Sequence, residues 1–141
     1  MSTWRRKAIE YIPQCRREFQ APDADIYTIL IEMRAVVVQA HRDNDIPLLT
    51  KCYAYAEWCH RQKANELYNA ICVCFYEHLI DQPETMKDMT TWVKKDIYLD
   101  IRSLLEYRSN TDEEMAALDD AYGIPLQERP KSWRKEKFKF R

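Results

Sequence analysis

Residues 48–79 read LLTKCYAYAEWCHRQKANELYNAICVCFYEHL, and this stretch decides the fold of the chain. Its apolar residues recur at three- and four-residue steps in two blocks, separated by a short polar link at residues 63–65. That period is typical of amphipathic helices, and a link of a few residues favours antiparallel packing. The stretch therefore predicts a central antiparallel helical hairpin.

Helical patterns also lie on both sides of this hairpin. The preceding pattern, from about residue 25 to 41, carries an inward stripe of Ile26, Leu30, Met33, Val37 and Ala40. It has apolar residues on its other faces as well, so we expect this helix at the centre of the core. Thr111 and Glu114 form a capping box for a last helix that Gly123 ends. The whole pattern predicts an all-α, single compact bundle of about six helices over residues 1–126.

Composition narrows the possible functions. Gly123 is the single glycine of 141 residues, which excludes Gly-rich phosphate loops and dinucleotide-binding turns. The chain is 46% apolar and 32% charged, as expected for one folded domain, and its apolar runs are too short for a bilayer. Five cysteines, an odd number without an export pattern, favour reduced thiols in a cytoplasmic protein.

Charge is uneven along the chain, because residues 127–141 hold seven basic and two acidic residues. We interpret them as a basic C-terminal tail. Cations interleaved with aromatic residues suit phosphate contact and base stacking. The same composition suits an arm that folds back onto the acidic body, or a solvated terminus. The candidate nucleic-acid contacts are Arg129, Lys131, Trp133, Arg134, Lys135, Lys137 and Lys139.

Metal and nucleophile patterns are incomplete. Glu57 and His60 have the helical spacing of di-metal bundles, but no second Glu-x-x-His copy exists. Cys72 and Cys74 point about 200° apart on a helix and cannot share an ion. Cys59 beside His60 is a weak candidate nucleophile, which burial of both side chains would remove. We therefore predict no metal, no cofactor and no enzymatic activity.

Aromatic and acidic residues of the hairpin are the candidate partner contacts. Tyr55, Trp58 and Tyr76 fall off the apolar stripes, so we expect them on the surface, where such groups favour a protein partner. An acidic face that includes Glu57, Glu66 and Glu77, extended by Asp81 and Glu84, would attract a basic partner.

Three blocks of the chain, residues 26–34, 53–59 and 69–79, resemble a family of small bacterial helical proteins of unassigned function. Members have a HEAT-like hairpin at their centre and look similar to immunity proteins of contact-dependent toxin systems. The resemblance covers about residues 5–108 and implies no catalytic residue. It suggests a non-catalytic protein-interaction module, a bacterial immunity protein that neutralises a toxin domain by direct binding. The alternative is a nucleic-acid-associated accessory protein that uses the basic tail.

Overall fold

The computed structural model describes residues 1–130; Lys131–Arg141 lie outside the described residues. The described part is helical throughout and contains no strand. Its α-helices are α1 Thr3–Tyr11, α2 Arg16–Phe19, α3 Ile26–Arg42, α4 Ile46–His60, α5 Asn65–Cys74, α6 Pro83–Met86, α7 Met89–Trp92, α8 Lys95–Arg108 and α9 Asp112–Ala121. Three 3₁₀ segments join them: Pro13–Cys15, Tyr76–Asp81 and Leu126–Glu128. The predicted all-α class is confirmed for these residues.

Polar side chains cap the N-termini of three helices, α3, α4 and α9. An Asp25 carboxylate oxygen accepts the Thr28 N–H at 2.8 Å at the start of α3, and Asp45 accepts the Leu48 N–H at 3.2 Å at the start of α4. At the start of α9, the Thr111 hydroxyl accepts the Glu114 N–H at 3.2 Å. Because these N–H groups have no partner inside the helix, each cap fixes where its helix begins.

The core lies where α3 packs against α4 and α5. All five residues of the predicted α3 stripe are buried, as predicted. Burying each Leu or Ile side chain contributes about 1.5–3 kcal/mol, so this stripe is a large part of the folding energy. The outer face of α3 differs from the expectation of a central, enclosed helix, because Tyr27 is 40% and Ile31 47% exposed.

The helix count of about six does not fit the described residues, which contain nine α-helices. Pro13 breaks the first pattern, as predicted, and the pattern at 84–93 divides into α6 and α7. The second arm of the hairpin ends at Cys74, because Phe75 leaves the helical conformation. Neighbouring residues of a regular helix diverge by about 100°. The break at Phe75 therefore allows both Phe75 and Tyr76 to enter the core, where their exposed fractions are 0% and 1%.

The consecutive helices α4 and α5 pack against each other. A HEAT-like classification of this pair stays a prediction. Within residues 1–130, every helix is too short or too polar to span a bilayer.

Candidate functional site

Two of the three predicted aromatic contacts are interior residues. Tyr55 is 0% and Tyr76 1% exposed, so the expectation of surface tyrosines was wrong. The Tyr55 hydroxyl donates to the Trp4 carbonyl oxygen at 2.8 Å, which pairs a buried polar group with the first helix. Trp58 is half-buried and stacks on Tyr55, with the ring centroids 6.0 Å apart. The sequence stripes missed the burial of Tyr55 because α1 packs against α4, and that of Tyr76 because α8 packs against the 3₁₀ segment Tyr76–Asp81.

The predicted acidic face is largely neutralised inside the chain. Glu57 accepts from Arg61 at 3.0 Å and from Lys94 at 2.7 Å. Partial burial alone would raise the pKa of Glu57, but these two hydrogen bonds hold the pKa below its usual range. Glu66 is exposed in the first turn of α5.

The other carboxylates of that face are also paired with arginines. Arg108 lies 2.7 Å from Asp81 and 3.9 Å from Glu77, and Arg42 lies 3.2 Å from Glu84. A partner that bound these carboxylates would have to replace arginines that already compensate them. Glu57, Glu77, Asp81 and Glu84 all have cationic partners inside the chain, and the binding of a basic partner to this face stays a prediction.

Cys59 and His60 are both buried, with exposed fractions of 0% and 7%. Burial raises the pKa of the Cys59 thiol to about 12, so this thiol stays protonated and unreactive near neutral pH. The His60 Nε2 atom lies 3.2 Å from an Asp100 carboxylate oxygen, without hydrogen-bond geometry, and its ring packs beside Tyr68. This pair is not available to a substrate in solvent.

The remaining cysteines are free thiols as well. Burial raises the pKa of Cys52 to about 12 and that of Cys72 to about 11. Glu57 points to its cationic partners, whereas His60 is interior, so the Glu-x-x-His pair does not converge. Over residues 1–130, no three His, Cys, Asp or Glu side chains are grouped so that they could hold a metal ion.

A surface groove lies along the exposed side of α3. Its α3 residues are spaced by one, three and four positions and form one helical face, and the 3₁₀ segment Tyr76–Asp81 supplies much of the opposite wall. The groove encloses about 420 Å³. We call this surface the α3 groove, defined by Ile31, Arg34, Ala35, Val38, Gln39, Arg42, His78, Asp81 and Gln82.

The α3 groove combines an apolar floor with cationic groups. Ile31, at 47% exposure, lies on the floor with Ala35 and Val38. Arg34 forms no ion pair within the described residues; its guanidinium donates only one long hydrogen bond, 3.5 Å to the Cys74 carbonyl oxygen. Since a guanidinium carries five N–H donors, Arg34 keeps most of them for another group.

Asp81, on the opposite wall, is already neutralised. His78 Nδ1 lies 2.8 Å from its carboxylate and Arg108 2.7 Å. Partial burial raises the pKa of Asp81, but hydrogen bonds from Arg108 and His78 outweigh that effect and lower it. The wall therefore presents a fixed ion-pair network, and Arg34 adds guanidinium donors that this network does not use.

The start of the predicted basic tail is part of the folded body. The Arg129 guanidinium donates to the Ile124 carbonyl oxygen and lies 2.6 Å from Asp120 Oδ1. Its side chain is 14% exposed, which makes it a poor phosphate contact. The boundary predicted after residue 126 falls inside the 3₁₀ segment Leu126–Glu128. The other candidate nucleic-acid contacts, from Lys131 onward, lie outside the described residues.

Sequence reasoning missed both the α3 groove and a buried polar cluster. In that cluster, Asp119 accepts from Arg102 at 2.6 and 2.9 Å and from the Tyr98 hydroxyl at 2.6 Å. The signal for the groove was present: α3 is apolar on more faces than one core contact needs, and this excess marks an exposed surface. The spacing of Arg102 and Glu106 by four residues was the available signal for the cluster.

The family model of a domain of unknown function, DUF7674, matches residues 5–109, so the chain belongs to that family. No curated protein and no solved structure matches the chain. The matched range contains the α3 groove and ends before α9. The groove of this chain therefore lies within the matched range, whereas α9 and the following residues lie beyond it.

Proposed function

We propose that this chain is a non-catalytic protein-interaction module whose partner binds in the α3 groove. The observation that carries the proposal is the exposed apolar floor around Ile31, beside the uncommitted donors of Arg34. An isoleucine at 47% exposure is ordinary by itself. An apolar floor in a groove with an adjacent guanidinium is the usual composition of a partner-binding surface.

The groove favours a partner of particular chemistry. Apolar side chains would displace water from Ile31, Ala35 and Val38, and a carboxylate would accept from Arg34 in a bidentate pair. The partner segment is therefore apolar with at least one acidic residue. This charge is opposite to that expected from the sequence, because four of the five carboxylates of the predicted acidic face have cationic partners inside the chain.

Toxin neutralisation is the form of this function that the sequence resemblance supports. In that form the partner is a toxin domain, and binding to the α3 groove blocks the toxin's active surface or its assembly. Burial of Cys59 and His60 supports a binding role, because the pair that sequence reasoning considered for catalysis packs inside the domain.

The test begins with identification of the partner. A photo-crosslinking residue is placed at Gln39, at the exposed edge of the groove, and the full chain is expressed in its native cells. Captured protein is identified by mass spectrometry, purified and titrated with the full chain. We expect Ile31→Asp to weaken this binding about 100-fold, a hot-spot effect.

Leu99→Asp is the matched control, since Leu99 is 51% exposed on α8 and lies outside the α3 groove. Equal affinity of the Ile31→Asp and unsubstituted chains would contradict the groove proposal. Co-expression of the partner then separates the two levels of the proposal. A partner that does not slow growth would remove the immunity function and leave the interaction module.

The nucleic-acid alternative rests on the composition of residues 131–141 and stays a prediction. Among its candidate residues that the structure describes, Arg129 is engaged with Asp120 and Ile124.

A further inference from the structure

A second groove lies against α9, apart from the α3 groove. It encloses about 450 Å³, and most of its lining surface is apolar. Ala117, Leu118 and Ala121 of α9 line it together with Met86. Its polar lining residues are Lys87, Thr111, Glu113 and Glu114. We call it the α9 groove. Small alanines leave room here for large side chains from another segment.

The helix that forms this groove is strongly acidic. Of its ten residues, five are carboxylates and none is Lys or Arg: Asp112, Glu113, Glu114, Asp119 and Asp120. Asp119 is neutralised in the buried cluster with Arg102, and Asp120 is paired with Arg129. Glu113 is exposed at the groove and adds negative charge there. Because two carboxylates line the groove against one cation, Lys87, an occupant should combine large apolar groups with positive charge.

The chain beyond Pro130 has this composition. Residues 131–141 contain six cations and one glutamate, together with Trp133, Phe138 and Phe140. The sequence of alternating Lys and Phe at its end places a cation beside each aromatic ring. The aromatic rings match the apolar lining, and the cations match the carboxylates of α9.

The path of the chain also leads to α9. Arg129 is anchored on the helix through its ion pair with Asp120, 2.6 Å between Nη2 and Oδ1. Pro130, the last described residue, lines the same surface pocket as Ala116 and Asp119 of α9. Crossing an α-helix with its side chains takes about 10–12 Å, or roughly four extended residues at ~3.3 Å each. The eleven residues after Pro130 are long enough to reach the α9 groove.

We propose that residues 131–141 bind the α9 groove of their own chain, with aromatic side chains against Ala117 and Ala121 and cations beside Glu113. The contact extends the Arg129–Asp120 pair already present along the same helix. Its consequence is that the basic segment is held in a form that does not offer its charges to other molecules. Because the contact combines exposed charges with partial burial, high salt weakens it.

The experiment uses the full chain with a photo-crosslinking residue in place of Phe138. After irradiation, the linked peptides are mapped by mass spectrometry. We expect links to the segment that contains Ala117 and Ala121 and to Met86. At 1 M salt the yield should fall about tenfold, since the Debye length drops to roughly 3 Å.

Ala117→Arg tests the groove, because it fills the apolar side and adds a positive charge. Ala64→Arg is its matched control: the same change at an exposed alanine, just before α5 and outside the groove. We expect Ala117→Arg to lower the link yield about tenfold and Ala64→Arg to leave it unchanged, with equal helix content by circular dichroism. Equal yields in the two variants would overturn the proposal.

A second measurement leaves the folded body untouched. Trp133, Phe138 and Phe140 are changed together to serine, and the backbone amide spectra of the two full chains are compared by NMR. We expect shifts concentrated at residues 113–121. Three results would overturn the proposal: no shift there, links only between isotopically distinct copies of the chain, and links to a surface other than the α9 groove. A fourth overturning result would be that added nucleic acid protects residues 131–141 from hydrogen exchange while no link to α9 forms.

Discussion

The family domain, residues 5–109, and the segment that follows it, residues 110–130, are stabilised in different ways. The domain has a contiguous apolar and aromatic core in which many side chains, such as Leu30, Phe75 and Ile101, are fully buried. The C-terminal segment adds only a few buried apolar residues, Met115, Leu118 and Ile124. The stability of the domain is therefore spread over many contacts, whereas that of the segment depends on few.

The segment is instead attached through polar contacts. Asp119 is 1% exposed and bonded to both Arg102 and Tyr98. Tyr122 stacks on Tyr98, with centroids 4.0 Å apart, and its hydroxyl donates to the Val93 carbonyl oxygen at 2.8 Å. A buried ion pair adds little net stability compared with apolar packing, but removal of one partner is costly. We therefore expect the attachment of α9 to be more sensitive to the loss of the Asp119 carboxylate than to the loss of any other single polar group.

The largest expected effect is that of Asp119→Ala. It leaves the Arg102 guanidinium buried without its main counter-charge, at a cost of about 3–5 kcal/mol. Because α9 makes few other contacts, we expect hydrogen exchange by mass spectrometry to show lost protection at residues 112–128 and retained protection in α3 and α4.

Leu30→Ala provides the comparison from the domain. It should lower the free energy of unfolding by about 2–5 kcal/mol, because apolar contacts are lost and a cavity is left. Protection from hydrogen exchange should then fall throughout the described residues. If Asp119→Ala also lowered protection uniformly, the two regions would unfold as one unit and the distinction drawn above would fail.

Lowering the pH should have a smaller effect on the attachment of α9. Burial by itself raises the pKa of Asp119, but hydrogen bonds from Arg102 and Tyr98 outweigh it and lower the pKa below the ordinary 3.8. A lowered pKa means that this contribution is complete well above pH 3.8 and is lost as pH falls through the lower, folded-state value. The near-ultraviolet dichroism of stacked Tyr98 and Tyr122 should therefore decrease as the pH falls below the ordinary 3.8. Asp119→Asn, which cannot titrate, should already lack the acid-sensitive part of this signal at neutral pH.

The smallest effect concerns the cap of α9. Thr111→Ala removes the hydroxyl that accepts from the Glu114 N–H and should cost about 1 kcal/mol. Ser2→Ala is the matched change at α1, whose cap residue makes no side-chain hydrogen bond, so thermal unfolding should hardly change. Equal shifts in the two variants would show that the Thr111 bond does not hold the start of α9.

Much of the local structure follows from short-range patterns. The α3 stripe and the capping box at Thr111 were predicted because helical period and caps involve residues three or four positions apart. The break at Phe75 was missed, because the helical pattern continues past this residue in the sequence. The structure ends the helix at Cys74, and both Phe75 and Tyr76 are then buried in the core. The burial of Tyr55 and Tyr76, two of the candidate partner contacts, was missed for a related reason. The residues that cover these two side chains come from elsewhere in the chain.

The sequence by itself determined that the chain is helical, where the long helices begin and which face of α3 is buried. These properties depend on backbone hydrogen bonds and side-chain spacing within one element. Only the tertiary structure decided that the carboxylates of Glu57 and Asp81 meet arginines, that Ile31 borders an open groove, and that Asp119 is buried beside Arg102. Those outcomes depend on which elements come together, and charge or apolarity at one position does not specify its distant neighbours.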